Sequence, residues 1–226
     1  MFIDVFKEDG YAVLTTAGYI ACAILALLII VLTAFLAKPK ENAKPHWKTK
    51  KLVFSAVCLA LAFLLSYIQP YKLPWGGSVT LFSMLFICLV GNWYGLKTGL
   101  LVAFTYSILQ FIQSGGSYIL TPLQVCCDYF FAFTALGFSG IFAGKKNGLL
   151  KGYLLGIFLR GVFHTLGGYL YWMEYMPDTF PKSLAAIYPI VYNYSYILIE
   201  GAATVAILCI PAVKSALNRV KHMTAE

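Results

Sequence analysis

Apolar residues in this chain are gathered into long runs, which short polar or glycine-rich connections separate. The runs cover residues 11–37, 51–69, 79–94, 98–113, 122–143, 149–172 and 185–212. An α-helix rises about 1.5 Å per residue, so roughly 20 apolar residues cross the hydrocarbon of a bilayer. Most of the runs approach or exceed that length. The pattern therefore predicts an all-α, polytopic membrane protein with seven transmembrane helices.

Composition supports the same interpretation. Of the 226 residues, 60% are hydrophobic and 12% are charged, whereas soluble domains carry about 25% charged residues. The first run follows the acidic residues Asp4, Glu8 and Asp9 and is longer than the apolar core of a secretory signal, so we expect a retained helix. The predicted domains are an extra N-terminal transmembrane helix with a basic linker at 1–50, and a six-helix membrane domain at 51–226.

Lysine and arginine are distributed unevenly among the connections, and this bias predicts the orientation of the chain. If the C-terminus is cytoplasmic, thirteen of these residues lie inside, while Lys7, Lys72 and Lys182 lie outside. We therefore expect the N-terminus outside and the C-terminus in the cytoplasm. The net charge of +8 follows from the same bias, so it does not indicate a nucleic-acid partner.

Three polar side chains interrupt the apolar runs in the predicted outer half of the membrane. Counting inward from the outer end of each helix at about 1.5 Å per residue places Asp128 about 10 Å deep. The same count places His164 and Asn193 about 12 Å deep. Polar groups inside a bilayer are costly and often functional. A carboxylate, an imidazole and an amide at one level predict a solute-binding pocket that opens to the outside.

Two ionisable side chains lie deeper in the predicted helices. Arg160 and Glu200 fall near the middle of the membrane on successive, antiparallel helices. A buried charge needs a partner, and opposite charges at one depth provide it. We therefore predict a structural ion pair between Arg160 and Glu200 that sets the register of the two helices beneath the pocket.

One helix face combines several of these residues. Arg160, His164, Gly168 and Trp172 recur every four residues and therefore share a face. Gly168 leaves space for a flat ligand close to the backbone, although a glycine that packs two helices together would show the same spacing. Aromatic rings beside a carboxylate suit an organic cation, through cation–π attraction and charge pairing.

Catalysis has less support in the sequence. Asp128 and His164 could act as acid and base, but no nucleophile motif accompanies them. The six cysteines lie in the apolar runs without a CxxC spacing, which favours packing over a metal site. The chain has no Walker A phosphate loop, so we do not expect it to hydrolyse ATP itself. An intramembrane enzyme that uses Asp128 and His164 remains an alternative.

Four motifs carry a resemblance to a known family. They are Gly76-Gly77-Ser78-Val79-Thr80-Leu81, Thr121-Pro122-Leu123-Gln124-Val125 running into Asp128-Tyr129, the series from Arg160 to Trp172, and Tyr188 followed by Val191-Tyr192-Asn193. In the order and spacing of these motifs, residues 51–215 resemble the thiamine-specific substrate-binding (S) components of energy-coupling factor (ECF) transporters. Those proteins have a six-helix core, so the run at 11–37 is an addition to it.

The resemblance implies a thiamine pocket and a role for each residue in it. The matching positions are Trp75, Tyr118, Asp128, Tyr129, His164, Gly168, Trp172, Tyr188 and Asn193. Asp128 would hydrogen-bond polar atoms of the substrate or balance the positive charge of the thiazolium ring. His164 and Asn193 would hydrogen-bond the aminopyrimidine. Trp172 would stack on a ring of the ligand, and Trp75 would be the tryptophan of a lid.

The resemblance also implies how the chain would work. It would capture thiamine outside a bacterial cell membrane and dock on an ECF module of one transmembrane scaffold and two ATPases, which drive release inward. Ala56 and Ala60 match the family's small-residue docking motif, although an ordinary alanine-rich face would look the same. No cofactor, metal or catalytic residue is expected.

The identity of the ligand leaves room for alternatives. An S component for another vitamin or for a thiamine precursor would show the same general pattern. We expect no arginine in the outer pocket, and a phosphate would then lack its usual clamp. Free thiamine is therefore expected rather than its phosphate esters.

Overall fold

The structure of this protein, a computed structural model, describes residues 3–5, 12–18, 20, 24, 45–115 and 119–225. Seven helices occupy the described residues from 45 onward. They are α1 (Pro45–Ser66), α2 (Ser83–Tyr94), α3 (Leu96–Gln113), α4 (Pro122–Phe142), α5 (Gly148–Tyr175), α6 (Lys182–Cys209) and α7 (Pro211–Ala225). Helices α1, α4, α5 and α6 are long and apolar enough to cross a membrane, and α2 is a shorter apolar helix. The predicted all-α, polytopic membrane fold is confirmed.

The last apolar run ends earlier than the hydrophobic pattern predicts. Helix α6 stops at Cys209 because Ile210 adopts an extended ψ of 121°. Pro211 then begins α7, where its fixed φ and missing N–H suit the first helical position. The polar and apolar residues of α7 alternate at helical spacing, so no apolar run marks it in the sequence. It packs against α1 and α2.

A small hairpin occupies two of the described N-terminal segments, and the described residues 16–18, 20 and 24 after it are helical. Strand β1 (Ile3–Val5) pairs antiparallel with strand β2 (Ala12–Leu14). The prediction of a helix from residue 11 is therefore wrong at its start, because cross-strand hydrogen bonds satisfy the backbone there. Most of the predicted helix at 11–37 lies outside the described residues, so the extra N-terminal transmembrane helix stays a prediction.

Two helices change their hydrogen-bonding pattern along their length. Helix α4 is π-helical at Cys126–Phe131, and α5 is π-helical at Gly168–Trp172. A π turn inserts a residue, rotates the side chains that follow and is frequent at functional sites. One π stretch contains Asp128 and the other ends at Trp172. Both irregularities therefore occur at the predicted pocket.

The helices alternate in direction, so the bundle has two distinct ends. The connections after α1, α3 and α5 share one end, where the Gln110 amide of α3 donates to the Ser66 hydroxyl of α1 at 2.9 Å. The connections after α2, α4 and α6 share the other end. Lysines at positions 97, 145, 146 and 151 lie at this second end. We call the two ends the cavity end and the basic end.

Glycines join four helices near the basic end. This glycine seam consists of Gly91, Gly99, Gly137, Gly140 and Gly152. A Cβ atom on Gly137 would lie 2.6 Å from Cα of Leu100, and one on Gly152 would lie 2.5 Å from the carbonyl oxygen of Ser139. These distances are shorter than a carbon atom tolerates, so only glycine lets the backbones approach so closely.

Candidate functional site

The three polar residues that predict a pocket converge on one stretch of α5. Asn193 Nδ2 in α6 donates to the backbone carbonyl of His164 at 3.1 Å. A Cβ atom on Gly167 would lie 2.4 Å from Asp128 Oδ1 in α4, and one on Gly168 would lie 3.2 Å from Asn193 Nδ2. Adjacent glycines thus allow α4 and α6 to place their polar side chains against the backbone of α5.

Two side chains, one from α4 and one from α5, hold Asp128 in place. Its Oδ2 atom accepts hydrogen bonds from Trp172 Nε1 and from Gln124 Nε2, each at 2.7 Å. Gln124 is almost fully buried, and its own Oε1 accepts from the backbone N–H of Leu120 at 3.2 Å. The carboxylate is therefore fixed through one oxygen. The resemblance had implied stacking for Trp172, and the structure adds a direct hydrogen bond to the carboxylate.

Asn193 organises the neighbouring side chains. Its amide nitrogen also donates to the carbonyl of Pro189 at 2.9 Å, and its Oδ1 accepts from the hydroxyl of Tyr196 at 3.1 Å. The ring of His164 lies edge-on to Phe133 and to Tyr196, with centroid separations of 5.9 and 6.2 Å. The amide of Asn193 is thus satisfied within the protein, and it orients Tyr196.

Arg160 and Glu200 are both buried, with 8% and 2% of their surface exposed. In the part of the chain that the structure describes, no salt bridge joins them. Arg160 lies over the ring of Phe133 at 4.4 Å, and its Nε donates to His164 Nε2 at 3.4 Å. Glu200 instead accepts from the backbone N–H groups of Thr80 and Met84, at 3.2 and 3.3 Å.

The predicted ion pair between these two residues is therefore wrong as a direct contact. The N-terminus of α2 offers backbone N–H groups without helical partners and the positive end of a helix dipole, and both attract a carboxylate. The guanidinium of Arg160 gains from the face of an aromatic ring instead. Each charge thus has a different partner from the one that depth alone suggested.

A cavity of about 420 Å³ opens beside this cluster at the cavity end. Its lining comprises Ser66, Tyr67, Gln69, Gly77, Ser78, Thr80, Gln110, Gln113, Ser114, Tyr129, Arg160 and Tyr196. The volume lies in the range of small-molecule pockets. Among the predicted binding residues that the structure describes, only Tyr129 is in this lining, whereas Asp128, His164 and Asn193 are not. The expectation of a pocket without arginine is wrong, because Arg160 also lines the cavity.

A polar network on the α3 side of the cavity was not predicted from the sequence. Gln110 Nε2 donates to Ser66 Oγ at 2.9 Å and to Gln113 Oε1 at 2.7 Å. Both glutamines line the cavity from α3. Two amides three residues apart in an apolar helix are themselves a signal, because uncharged polar groups in a membrane also need partners.

The loop between α1 and α2 closes one side of the cavity. It contains strands β3 (Tyr71–Lys72) and β4 (Ser78–Val79), which pair antiparallel. The carbonyl of Trp75 accepts from the hydroxyl of Tyr188 at 3.4 Å. The Trp75 ring also lies edge-on to Phe180 at 5.2 Å. Trp75 thus lies between the first and third loops of this end, and its role in a lid stays a prediction.

One face of α6 supports this loop along its whole length. The α6 stripe consists of Tyr188, Tyr192, Tyr196 and Glu200, which recur every four residues. Gly76 and Gly77 lie against Tyr192 and Tyr196, and Cβ atoms there would lie 3.0 and 2.3 Å from the rings. Both glycines have positive φ, 98° and 77°. The Gly-Gly motif is therefore required by conformation and by space.

The remaining predicted residues have simpler positions. Tyr118 lies outside the described residues. Ala56 and Ala60 are exposed on α1, on the same surface as the exposed side chains of Val53 and Val57. Among the described residues, no group of three or more His, Cys, Asp or Glu side chains could hold a metal ion.

Comparisons with known proteins all identify thiamine transporters. The family described as "Thiamine transporter protein (Thia_YuaJ)" matches residues 52–219. The thiamine transporter ThiT of Bacillus subtilis is 28% identical over 175 residues, which cover 71% of this chain and 88% of that protein. The ThiT of Lacticaseibacillus paracasei is 24% identical over 178 residues, which cover 72% and 87%.

A solved structure shares the fold. ThiT from Listeria monocytogenes superposes with a TM-score of 0.56 and 22% identity, over 73% of this chain and 93% of that one. The relatives are named as transporters, so transport rather than catalysis is the activity of the family. With most of its length matched, the chain belongs to the thiamine transporter family Thia_YuaJ.

Proposed function

We propose that this protein binds thiamine within the membrane and delivers it for ATP-driven uptake as the S component of an ECF transporter. The observation that carries the proposal is the Asp128 carboxylate, which is anchored through one oxygen by Trp172 and Gln124. A buried carboxylate beside aromatic rings suits a cationic heterocycle. Thiamine combines such a cation, the thiazolium ring, with an aminopyrimidine that forms hydrogen bonds.

The environment of the carboxylate supports a ligand that is flat and partly polar. Tyr129 and Tyr196 bring aromatic rings to the cavity wall, while Gln110 and Ser78 bring groups that form hydrogen bonds. A pocket of this kind buries an organic ligand against apolar faces and orients it through a few polar atoms. Arg160 also lines the cavity, so the cationic ring would lie on the side of Tyr129 and Asp128, away from Arg160.

The proposal includes an orientation and a partner. The lysine-rich basic end would face the cytoplasm of a bacterial cell and the cavity end would face outside. The chain has no nucleotide-binding motif, so the ATPases of an ECF module would supply the energy. The exposed Ala56 and Ala60 on α1 would let a helix of the scaffold protein approach closely.

Ligand binding is tested directly with the purified protein in detergent or nanodiscs. Thiamine should quench the tryptophan fluorescence, since Trp172 contacts the anchored carboxylate, and the ligand should be recovered unchanged. An aminopyrimidine, a thiazolium compound and an unrelated vitamin, titrated in parallel, should each bind more weakly than thiamine. Tight binding of the unrelated vitamin would favour a different S component. Chemical turnover of the bound ligand would favour the enzyme alternative.

Coupling to a partner needs a second assay. Proteoliposomes that contain this protein and an ECF module should accumulate thiamine only when ATP is present on the module's side. Replacing Ala56 and Ala60 with leucine should abolish uptake and leave thiamine binding unchanged, because the bulk would separate the helices. The matched control, leucine at exposed Ala202 and Ala206, adds the same bulk at the same spacing on a different helix, α6. Equal loss of uptake in both double variants would contradict the assigned docking face.

A further inference from the structure

A single buried carboxylate is tied to the segment that forms one wall of the cavity. Glu200 Oε2 accepts from the backbone N–H of Thr80 at 3.2 Å and from the Thr80 hydroxyl at 2.5 Å. Glu200 Oε1 accepts from the backbone N–H of Met84 at 3.3 Å and from the Ser83 hydroxyl at 3.5 Å. Both oxygens thus act as acceptors, one toward the loop and the other toward α2.

This anchorage lies where the loop passes into a helix. Gly77, Ser78 and Thr80 line the cavity, and Thr80 is the last of them before α2 begins. Phe82, between the two anchored sites, has a φ of 58°. A non-glycine residue is strained in the left-handed region and persists there only when its surroundings hold it. The Glu200 hydrogen bonds on both sides of Phe82 hold this conformation.

We propose that Glu200 is a positioning residue for the ligand: it fixes residues 77–80 as a cavity wall and so slows ligand dissociation. Glu200 is not among the residues that line the cavity, so it acts through Thr80. The proposal rests on the proposed function, in which this cavity holds thiamine. It assigns an indirect, positioning role to a glutamate that the sequence had placed in a structural ion pair.

The chemistry of the anchor requires a carboxylate. A glutamine at this position would offer one oxygen as acceptor and one NH₂ group as donor. The backbone N–H groups of Thr80 and Met84 are donors only, so the amide can serve one of them and must leave the other unpaired. Glu200→Gln therefore keeps the size of the side chain and releases one side of the anchor.

A matched control lies one turn farther along α6. Thr204 is fully buried, and its Oγ1 accepts from the hydroxyl of Tyr153 at 3.0 Å. Thr204→Val removes this buried hydrogen bond at nearly constant shape and leaves the hydrogen bonds of Glu200 to Thr80 and Met84 in place. Both variants should therefore lower the thermal stability, whereas only Glu200→Gln should change the behaviour of the wall.

The test measures thiamine association and dissociation rates by stopped-flow tryptophan fluorescence. We expect Glu200→Gln to raise the dissociation rate about tenfold, since hydrogen bonds to charged groups are worth that much. Its association rate should change far less, and Thr204→Val should leave both rates within about twofold of wild type. Equal dissociation rates in the two variants would overturn the proposal.

A second variant and a second readout keep the result independent of folding and of the ligand. Ser83→Ala removes a hydroxyl 2.7 Å from the Thr80 hydroxyl without altering the cavity surface, and should raise the dissociation rate by a smaller factor. Amide hydrogen exchange of the ligand-free protein should be faster at residues 77–84 in Glu200→Gln than in Thr204→Val. Unchanged exchange would overturn the proposal. Wild-type protein that binds no thiamine would instead refute the proposed function.

Discussion

Glycines of the seam pack chiefly against backbone atoms, whereas glycines around the cavity pack chiefly against side chains. In the glycine seam, a Cβ atom on Gly140 would lie 2.5 Å from the backbone nitrogen of Leu96. Near the cavity, a Cβ atom on Gly77 would meet the ring of Tyr196, and one on Gly167 would meet the carboxylate of Asp128. The same residue type therefore supports two kinds of packing.

The difference bears on how the molecule could carry a ligand. Backbone atoms in contact have no side-chain torsions to adjust, so the seam holds α2, α3, α4 and α5 in one arrangement. Side chains can change rotamer, so contacts around the cavity can adapt when a ligand enters. We interpret the basic end as rigidly packed and the cavity end as able to adapt its side chains to a ligand.

Gly137→Ala should have the largest effect and should act on folding. The added methyl group would lie 2.6 Å from backbone atoms of Leu100, so the helices must separate. We expect a loss of stability of about 3 kcal/mol and little folded protein, as measured by thermal unfolding followed with size-exclusion chromatography. Gly201→Ala is the control, because its Cβ would meet only the terminal Cδ1 methyl of Ile157, at 2.8 Å. Similar losses in both variants would remove the special status of the seam.

Asp128→Asn should have the next largest effect and should act on binding. The asparagine oxygen can still accept from Trp172 and Gln124, so the protein should fold. Loss of the negative charge should weaken thiamine binding by about a hundredfold, since an ion pair with the thiazolium ring is lost. Calorimetric titration measures the change, and the affinity for a neutral aminopyrimidine should change far less. A stability loss as large as that of Gly137→Ala would contradict adaptable packing at the cavity end.

Gly77→Ala should weaken binding by about tenfold while the fold is retained. The substitution adds a methyl group at a φ of 77° and against the ring of Tyr196, which must rotate in the cavity wall. Gly76→Ala is the matched control, since its Cβ would lie 3.0 Å from the Tyr192 ring, away from the residues that line the cavity. Thiamine titrations of both variants measure the difference. Failure of Gly77→Ala to fold would show that the loop is as rigid as the seam.

Trp172→Phe should have the smallest effect of the four. It keeps an aromatic ring and removes the hydrogen bond from Nε1 to Asp128, which is worth about 1 kcal/mol and corresponds to about fivefold in thiamine affinity. Trp93→Phe is the control, because Trp93 lies near the basic end of α2, at the opposite end of the bundle from Trp172. Equal effects of the two substitutions on affinity would mean that Trp172 has no special role in holding the carboxylate.

The fold was predictable to a large extent, and the partners within the site were not. Apolar runs predicted α1 to α6, because burial in a bilayer requires such runs. Asp128, His164 and Asn193 were predicted at one level because each residue adds a constant rise along its helix. The pairing of Arg160 was missed, since depth says nothing about the direction in which a side chain points.

Other features had no clear signal in the pattern. The hairpin of β3 and β4, the π-helical stretches and the amphipathic α7 depend on contacts between distant segments. The Gln110 and Gln113 amides did have a signal, as polar groups in an apolar helix, but their role became visible only beside Ser66.

The amino-acid sequence alone was enough to identify a polytopic membrane protein, the end that carries its lysines and the depth of its polar residues. These properties depend on translation along each helix, which is about 1.5 Å per residue regardless of neighbours. The direction in which each side chain points around its helix, and the partner that it contacts, could be found only in the folded chain. A π turn changes the facing of every later residue, and Glu200 binds the start of α2 because the loop brings two backbone N–H groups within its reach.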